Sequence, residues 1–302
     1  ETLNSIEFAY LEGGDGQEAD GSGDLIDASK FSGDAILIGN GADDELIGGG
    51  GDDILSGGTG DNLLTGNTGD DTYILDVGAQ GNDVVEHIGE GVDVINLEAV
   101  TSDLDLMVSA DPNIDHTVGL HDGATFGDFD EYVEQVLLGS GHDHLLIQNG
   151  AATGLIVDAG AGADKLDYTD WTVGIEADLE AGTATGLGLI SSVEIIEGGE
   201  DDDRIGGLKT ASMIIGSAGE DQIIPLQADE TLDFSGSTKG ISADFDDTGL
   251  EVKTFFDVEG LTYSAVPHFK TVFGSGIAAD FFAINGSVDA QTLLDGLGGI
   301  DT

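Results

Sequence analysis

Residues 39–74 read GNGADDELI, GGGGDDILS, GGTGDNLLT and GNTGDDTYI, four nine-residue units with no gap between them. Each opens on glycine, carries an acid or its amide in sixth place (Asp44, Asp53, Asn62, Asp71) and a large apolar residue in eighth (Leu46, Leu55, Leu64, Tyr73). One glycine turn is weak evidence, but four copies in strict register point to stacked coils. Glycines let a six-residue turn take positive φ and bring its carbonyls and amides close together with no Cβ in the way. The last three residues of each unit make a very short strand, and the eighth points into the core because side chains alternate along a strand. The sixth-place carboxylate is left at the turn, facing the equivalent turn of the next coil. Ca²⁺ prefers roughly six to eight oxygen ligands, which carboxylates and carbonyls supply together. The turns are therefore the expected ion sites.

Composition supports the same reading. Seven Lys+Arg against 61 Asp+Glu give a formal charge of −54, which would expand a compact fold unless cations neutralise it. With 39% hydrophobic residues at regular spacing, the expectation is a chain unfolded without metal and folded with it, because binding free energy becomes folding free energy when the site does not pre-exist. Glycine makes up 50 of 302 residues, against about 7% in ordinary chains. There is no collagen triplet, so the excess belongs to turns. The absence of cysteine excludes disulfides and thiolate-held zinc or iron–sulfur centres. So negative a surface is repelled by nucleic-acid phosphates, and no apolar run reaches the roughly 18 residues of a membrane span.

The four units match the pattern GGxGxDxUx and resemble the haemolysin-type calcium-binding repeats of RTX proteins, large bacterial proteins exported by type I secretion. The resemblance implies an all-β chain built as a right-handed parallel β-roll or β-helix solenoid, two nonapeptides per coil, with several Ca²⁺ ions between stacked turns. Carried over by position, Asp44 shares a site with Asn62 on one edge, and Asp53 with Asp71 on the other. Asn62 departs from the pattern and carries no charge, which makes its site the weaker. The fifth-place acids Asp43, Asp52, Asp61 and Asp70 read as solvated surface carboxylates.

Upstream, residues 24–38 read as a degenerate coil with Ala35 in the acid's place. Downstream the register slips by three residues at 75–77 and resumes as GAQGNDVVE, with Asp83 sixth and Val85 eighth, then as IGEGVDVIN, with Asp93 and Ile95. From about Gly91 a longer period of about 65 to 70 residues takes over. Its starts are VDVINLEAV at Val92, ADKLDYTDW at Ala163 and DETLDFSGS at Asp229. The expected organisation is a leading partial module and degenerate coil (1–38), the nonapeptide roll (39–98) and three long β modules (99–162, 163–228 and 229–302). These modules resemble units of very large RTX-like proteins. Their sixth-place acids Asp143, Asp164, Asp203, Asp221 and Asp301 are further calcium candidates, whereas the turn GSGIAADFF at 274–282 has Ala279 in that place and displaces Asp280. The start without methionine and the close inside a repeat read as an excerpt of a longer polypeptide.

Other chemistry is weaker. His142 and His144 flank Asp143, a spacing that suits a small transition-metal site, and His116 and His121 lie in a polar insertion; surface or turn histidines are the simpler reading of all four. Trp171 beside Tyr168 could stack on a sugar, although aromatic residues at module starts more often belong to the core. Paired acids also suit a glycosidase, but that needs one raised pKa, whereas carboxylates facing calcium have depressed values. No GxSxG, HExxH or GK[ST] motif occurs. The expectation is a non-enzymatic, calcium-stabilised structural or adhesive segment of a large extracellular bacterial protein, in a stalk, filament or surface layer. Its partners would be calcium, neighbouring modules or further copies of itself, and surface polysaccharide. The rival readings are an RTX secretion and folding domain of an enzyme or toxin, and a carbohydrate-binding module.

Overall fold

The computed structural model describes residues 8–14, 23–76, 81–86, 91–111, 114–121, 123, 125–206, 213–215 and 219–224, and beyond them strands 230–233, 240–246, 249–252, 258–263, 269–273, 281–285 and 293–295. Among these residues there is no helix, hence none long and apolar enough to cross a membrane. The chain divides into two compact units, residues 1–144 with 153–162, and residues 145–152 with 163–302.

Strands of the first unit are β1 (Phe8–Glu12), β2 (Leu25–Asp27), β3 (Asp34–Ile38), β4 (Glu45–Ile47), β5 (Ile54–Ser56), β6 (Asp61–Thr65), β7 (Thr72–Ile74), β8 (Gly81–Val84), β9 (Val94–Asn96), β10 (Leu104–Val108), β11 (His116–Leu120), β12 (Thr125–Phe129) and β13 (Gln135–Leu137); β14 (His144–Ile147) begins at its last residue, and β15 (Ile156–Asp158) returns to it. Successive strands alternate between two sheets. One runs β1-β3-β5-β7-β9-β13-β15 and the other β2-β4-β6-β8-β12-β11-β10. Neighbours in the first are parallel throughout. The nine-residue repeat explains the register: a strand pairs with the strand two units on, so Leu37, Leu55 and Tyr73 align at intervals of 18 residues, followed by Ile95 and Val136. In the second sheet Ile26, Leu46, Leu64, Val84 and Phe129 align likewise. All ten residues are buried. Each coil therefore adds one apolar side chain from each sheet to a narrow core.

The regular stacking is interrupted once in this unit. Instead of continuing as a coil, residues 104–129 fold as an antiparallel meander, β10 against β11 and β11 against β12, and β12 rejoins β8 in parallel. Its inward face carries Leu104, Leu106, Val108, Val118 and Phe126. His116 belongs to this core and is not a free polar group: its Nδ1 accepts the Ser109 N–H at 3.0 Å, and its ring packs edge-on against Phe129. Burial lowers its pKa, against the opposing charges of Asp115 and Glu131.

The second unit takes β16 (Lys165–Asp167), β17 (Glu176–Asp178), β18 (Thr183–Ala184), β19 (Leu189–Ser191), β20 (Ile195–Glu197), β21 (Arg204–Gly206), β22 (Met213–Ile215), β23 (Glu220–Ile224), β24 (Glu230–Asp233), β25 (Gly240–Asp246), β26 (Gly249–Val252), β27 (Val258–Tyr263), β28 (Phe269–Phe273), β29 (Phe281–Asn285) and β30 (Leu293–Asp295). Strands β16-β20-β22-β24-β28-β30 are parallel neighbours. Ile196, Ile214 and Leu232 align 18 residues apart, as do Ile205 and Ile223. The two-nonapeptide period thus recurs where the glycine motif has decayed, underneath the longer repeat. Antiparallel pairing recurs in this unit, β17 with β18 and β25 with β26, the latter beside β27. Tyr168 and Trp171 are both buried, with rings in edge contact; the Tyr168 hydroxyl donates to the Thr185 carbonyl and Trp171 Nε1 to the Ile147 carbonyl, each at 2.7 Å. They are core anchors, not a sugar-stacking platform.

Because each core layer is so thin, one deletion is costly. Leu55→Ala is expected to lower stability by about 3 kcal/mol, within the usual range for a buried leucine, whereas Leu63→Ala, on the outer face of β6, should change it by less than about 0.5 kcal/mol. Urea denaturation of both variants in saturating calcium measures the difference.

Candidate metal centre

The turns joining the two sheets form two edges. On one, the acid-place residues Asp24, Asp44, Asn62 and Asn82 follow one another coil by coil: Asp24 N–H donates to Asp44 Oδ1 (2.7 Å), Asp44 N–H to Asn62 Oδ1 (2.9 Å), and Asn62 Nδ2 to Asn82 Oδ1 (2.9 Å). On the other, the order is Ala35, Asp53, Asp71, Asp93 and Glu134, each backbone N–H donating to the carboxylate of the next at 2.7–2.9 Å. One carboxylate oxygen of each such aspartate is thus used to hold the neighbouring coil in register.

The other oxygen points at the first-place glycine. A Cβ on Gly39 would run into Asp44 Oδ2 and the Gly57 carbonyl, and one on Gly48 would lie 2.5 Å from both Asp53 Oδ2 and the Gly66 carbonyl. Only glycine leaves room for this convergence of a carboxylate with a carbonyl from the next coil. Positive φ at Asn40, Ala42, Gly58, Gly60, Asn67 and Gly69 tightens the turns, which stack so closely that a Cβ on Gly60 would strike the Ala42 carbonyl. Asp44 Oδ2 and Asp71 Oδ2 are fully buried and meet no hydrogen-bond donor. A buried carboxylate oxygen left in that state is strongly unfavourable, and a hard cation held among oxygens relieves it. The residues present therefore fit Ca²⁺.

Asp44, Asp53, Asn62, Asp71, Asp93, Asp143, Asp164, Asp203 and Asp221 are all buried, Asn62 and Asp221 within β6 and β23 and the others just ahead of a strand, and the expected pairs Asp44 with Asn62 and Asp53 with Asp71 are adjacent. Asp143 accepts the Leu104 N–H at 2.8 Å. In the second unit Asp203 accepts the Ile175 and Gly199 N–H groups, Asp203 N–H donates to Asp221 Oδ1, and Asp164 N–H donates to Glu194. Asp83 is a correction. It is exposed, because the strand after the slip runs one residue out of the expected register, so that Asn82 pairs with Asn62 and Val84, rather than Val85, with Leu64. Asp301, Ala279 and Asp280 lie outside the described residues. Asn62 directs its amide nitrogen toward Gly57, where Asp44 and Asp53 direct an oxygen toward Gly39 and Gly48. That end of the edge is an amide ladder, which Asn82 continues by donating to the Phe126 carbonyl. The fifth-place carboxylates Asp43, Asp52 and Asp70 are exposed and accept backbone N–H groups of the next coil.

Four members were missed from sequence: Asp24, Asn82, Glu86 and Glu134. Asp24 had a signal in GDLI, which repeats the Gly-Asp-apolar spacing of the units. Glu86 stands where each regular turn has its first glycine, and its Oε1 accepts the Gly66 N–H at 2.9 Å. Asp71, Glu86 and Asp93 are all buried, with carboxylate oxygens within 4.8 Å of one another.

Without an ion this crowding has a cost. Burial pushes the Asp71 carboxyl up to about 7, with the charges of Asp53, Asp93 and Asp52 adding to it and the Asp53 N–H opposing it. Burial likewise raises Asp203 to about 6, and raises Asp44, Asp53 and Asp143. These upward shifts are the cost of burying the carboxylates beside one another, and a cation held among them supplies the opposing downward pull.

Residues 31–85 match the family model of the RTX calcium-binding nonapeptide repeat, in four copies spanning 31–64, 38–73 and 48–85. This stretch is an RTX calcium-binding repeat block. No curated protein matches the chain. The RTX match ends at the slip before Asp93, while the buried acids continue past it through Asp221.

The pKa shifts fix a sign. A carboxyl whose folded pKa is raised from 3.8 to about 7 stabilises the ion-free fold fully below pH 3.8, and that contribution is lost as pH rises through about 7. In chelator the β signal in circular dichroism should therefore be greater at pH 5 than at pH 8. Asp71→Asn should increase that signal at pH 8 in chelator and lower the urea midpoint in saturating calcium, so the variant's effect changes sign with the ion. The same direction under both conditions would detach Asp71 from the metal.

Proposed function

We propose that the RTX repeat block and the acid-bearing coils that follow it fold as a right-handed parallel β-roll only when calcium fills the turns, and serve as a structural or adhesive segment of a secreted bacterial polypeptide. The observation that carries the reading is the series of buried carboxylates along the coils, in a chain of net charge −54. Without cations, burying these groups opposes folding; with them, it drives it. Calcium then acts as a folding signal: it is scarce inside a cell and abundant outside, so the segment stays unfolded before export and folds afterwards. The reading assigns no catalysis to these coils, whose carboxylates are committed to register and ion binding. Stalk, filament and surface layer all use such a segment. The proposed partners are calcium, adjoining modules and further copies of the chain, since acidic surfaces approach one another when divalent ions bridge them.

The RTX match covers only residues 31–85, which also suits a secretion and folding module beside an enzyme or toxin. The β10–β12 and β25–β26 excursions favour the structural reading, because a folding module needs only regular coils.

Circular dichroism and sedimentation during a Ca²⁺ titration from a chelated start, with Mg²⁺ as control, test the proposal. Calcium alone is expected to convert an expanded coil into a compact β protein, and larger species in the same titration would support self-association. A chelated protein that is already folded at pH 8 and indifferent to calcium would overturn it.

A further inference from the structure

Histidine is rare in this chain, six in 302 residues, yet two of the six meet at one carboxylate. Asp105 projects from β10, His121 follows β11 directly, and His144 opens β14. His121 Nδ1 lies 2.7 Å and His144 Nδ1 3.2 Å from Asp105 Oδ1, and the three ligand-bearing groups fall within 4.8 Å of one another. The rings stand nearly perpendicular, centroids 6.1 Å apart, so neither blocks the other's approach to a common centre. Ligand atoms of a tetrahedral zinc ion at bonds of about 2.0–2.1 Å sit roughly 3.3 Å apart, close to the spacing already present.

The backbone fixes all three positions. His121 N–H donates to the Asp103 carbonyl at 2.9 Å; Leu104 and Leu106 are buried on either side of Asp105; and Asp143 beside His144 accepts the Leu104 N–H. Alternation along β10 and β14 sends Leu104, Leu106 and Leu145 inward and leaves Asp105 and His144 on the outer face. The spacing expected from sequence, His142 with His144, is not what the fold assembles: His142 is exposed, and the partner of His144 is His121.

We propose that Asp105, His121 and His144 form a binding site for a divalent transition-metal ion of the zinc class, chemically separate from the calcium turns. Calcium is a hard ion served by oxygens, whereas two imidazoles and one carboxylate suit Zn²⁺, Ni²⁺ or Cu²⁺. Two of its ligands, Asp105 and His121, belong to the antiparallel excursion, and the third opens β14. An ion there ties residues 16 and 39 positions apart in sequence, fastening the meander to the turn that follows it. Three protein ligands leave a coordination position facing solvent, open to water or to a donor group of another molecule.

The test uses the full chain held in excess Ca²⁺, so that the acidic turns are occupied. Calorimetry with Zn²⁺ should show one ion per chain that Ca²⁺ does not displace, and the electron paramagnetic resonance of added Cu²⁺ should show nitrogen ligation. Loss of a metal's supporting partner costs about 10–100-fold in affinity, so His121→Ala, His144→Ala and Asp105→Asn should each weaken Zn²⁺ by at least about ten-fold, with His142→Ala unchanged. The side chains of His121 and Asp105 are 47% and 41% accessible and stand outside the apolar core, so these variants should fold; His121→Gln gives a second, more conservative check. Absence of binding in calcium, copper held by oxygens alone, or affinity that survives His121→Ala and His144→Ala would overturn the assignment.

Discussion

The first unit depends on buried carboxylates stacked along the turn edges of its two sheets. One oxygen of Asp44, Asp53 or Asp71 accepts an N–H from the preceding coil and sets its register; the second is directed into a space that only a missing Cβ leaves open. Glycine at the first place and aspartate at the sixth are therefore two halves of one device. Neither residue type has a reason to be there alone: a larger first residue would collide with the carboxylate, and the carboxylate without a cation would be a buried charge.

The core is correspondingly slight. One leucine, isoleucine or tyrosine per strand enters it, and two three-residue strands cannot hold a coil by hydrophobic burial alone. Coils gain stability from neighbours, as in other repeat proteins. In most solenoids the neighbour's contribution is apolar contact; here much of it passes through turn oxygens and whatever ion they share. The β10–β12 meander, which breaks the coil geometry with antiparallel pairing, is where the first unit builds a broader conventional core, with Phe126, Phe129 and His116 in it.

Much of this was legible in the sequence because the repeat is short and its constraints are local. The alternation that buries Leu46, Leu55, Leu64 and Tyr73, and the turn positions of Asp44, Asp53 and Asp71, follow from nine-residue spacing alone. The reading failed where a local rule was applied across a slip: at GAQGNDVVE the acid motif pointed to Asp83, but the strand is aligned by its apolar residue, and Val84 rather than Val85 enters the core, which turns Asp83 outward and Asn82 inward. Glu86 was invisible because a long acid in a glycine place looks like a broken motif. The meeting of His121 with His144 was hidden by its dependence on an antiparallel turn that no periodicity signals. Conversely, the 18-residue alignment of Ile196, Ile214 and Leu232 shows coils persisting where the glycines no longer announce them.

The two edges of the first unit are chemically unequal. One edge carries Asp53, Asp71, Glu86 and Asp93 in succession; the other gives way after Asp44 to the amides of Asn62 and Asn82, which close on each other and on the Phe126 carbonyl with no charge to neutralise. The demand for calcium is therefore lopsided: the ion is needed along the edge where Asp53, Asp71 and Asp93 crowd together, whereas at Asn62 and Asn82 neighbouring coils are joined by neutral amides that require no counter-charge.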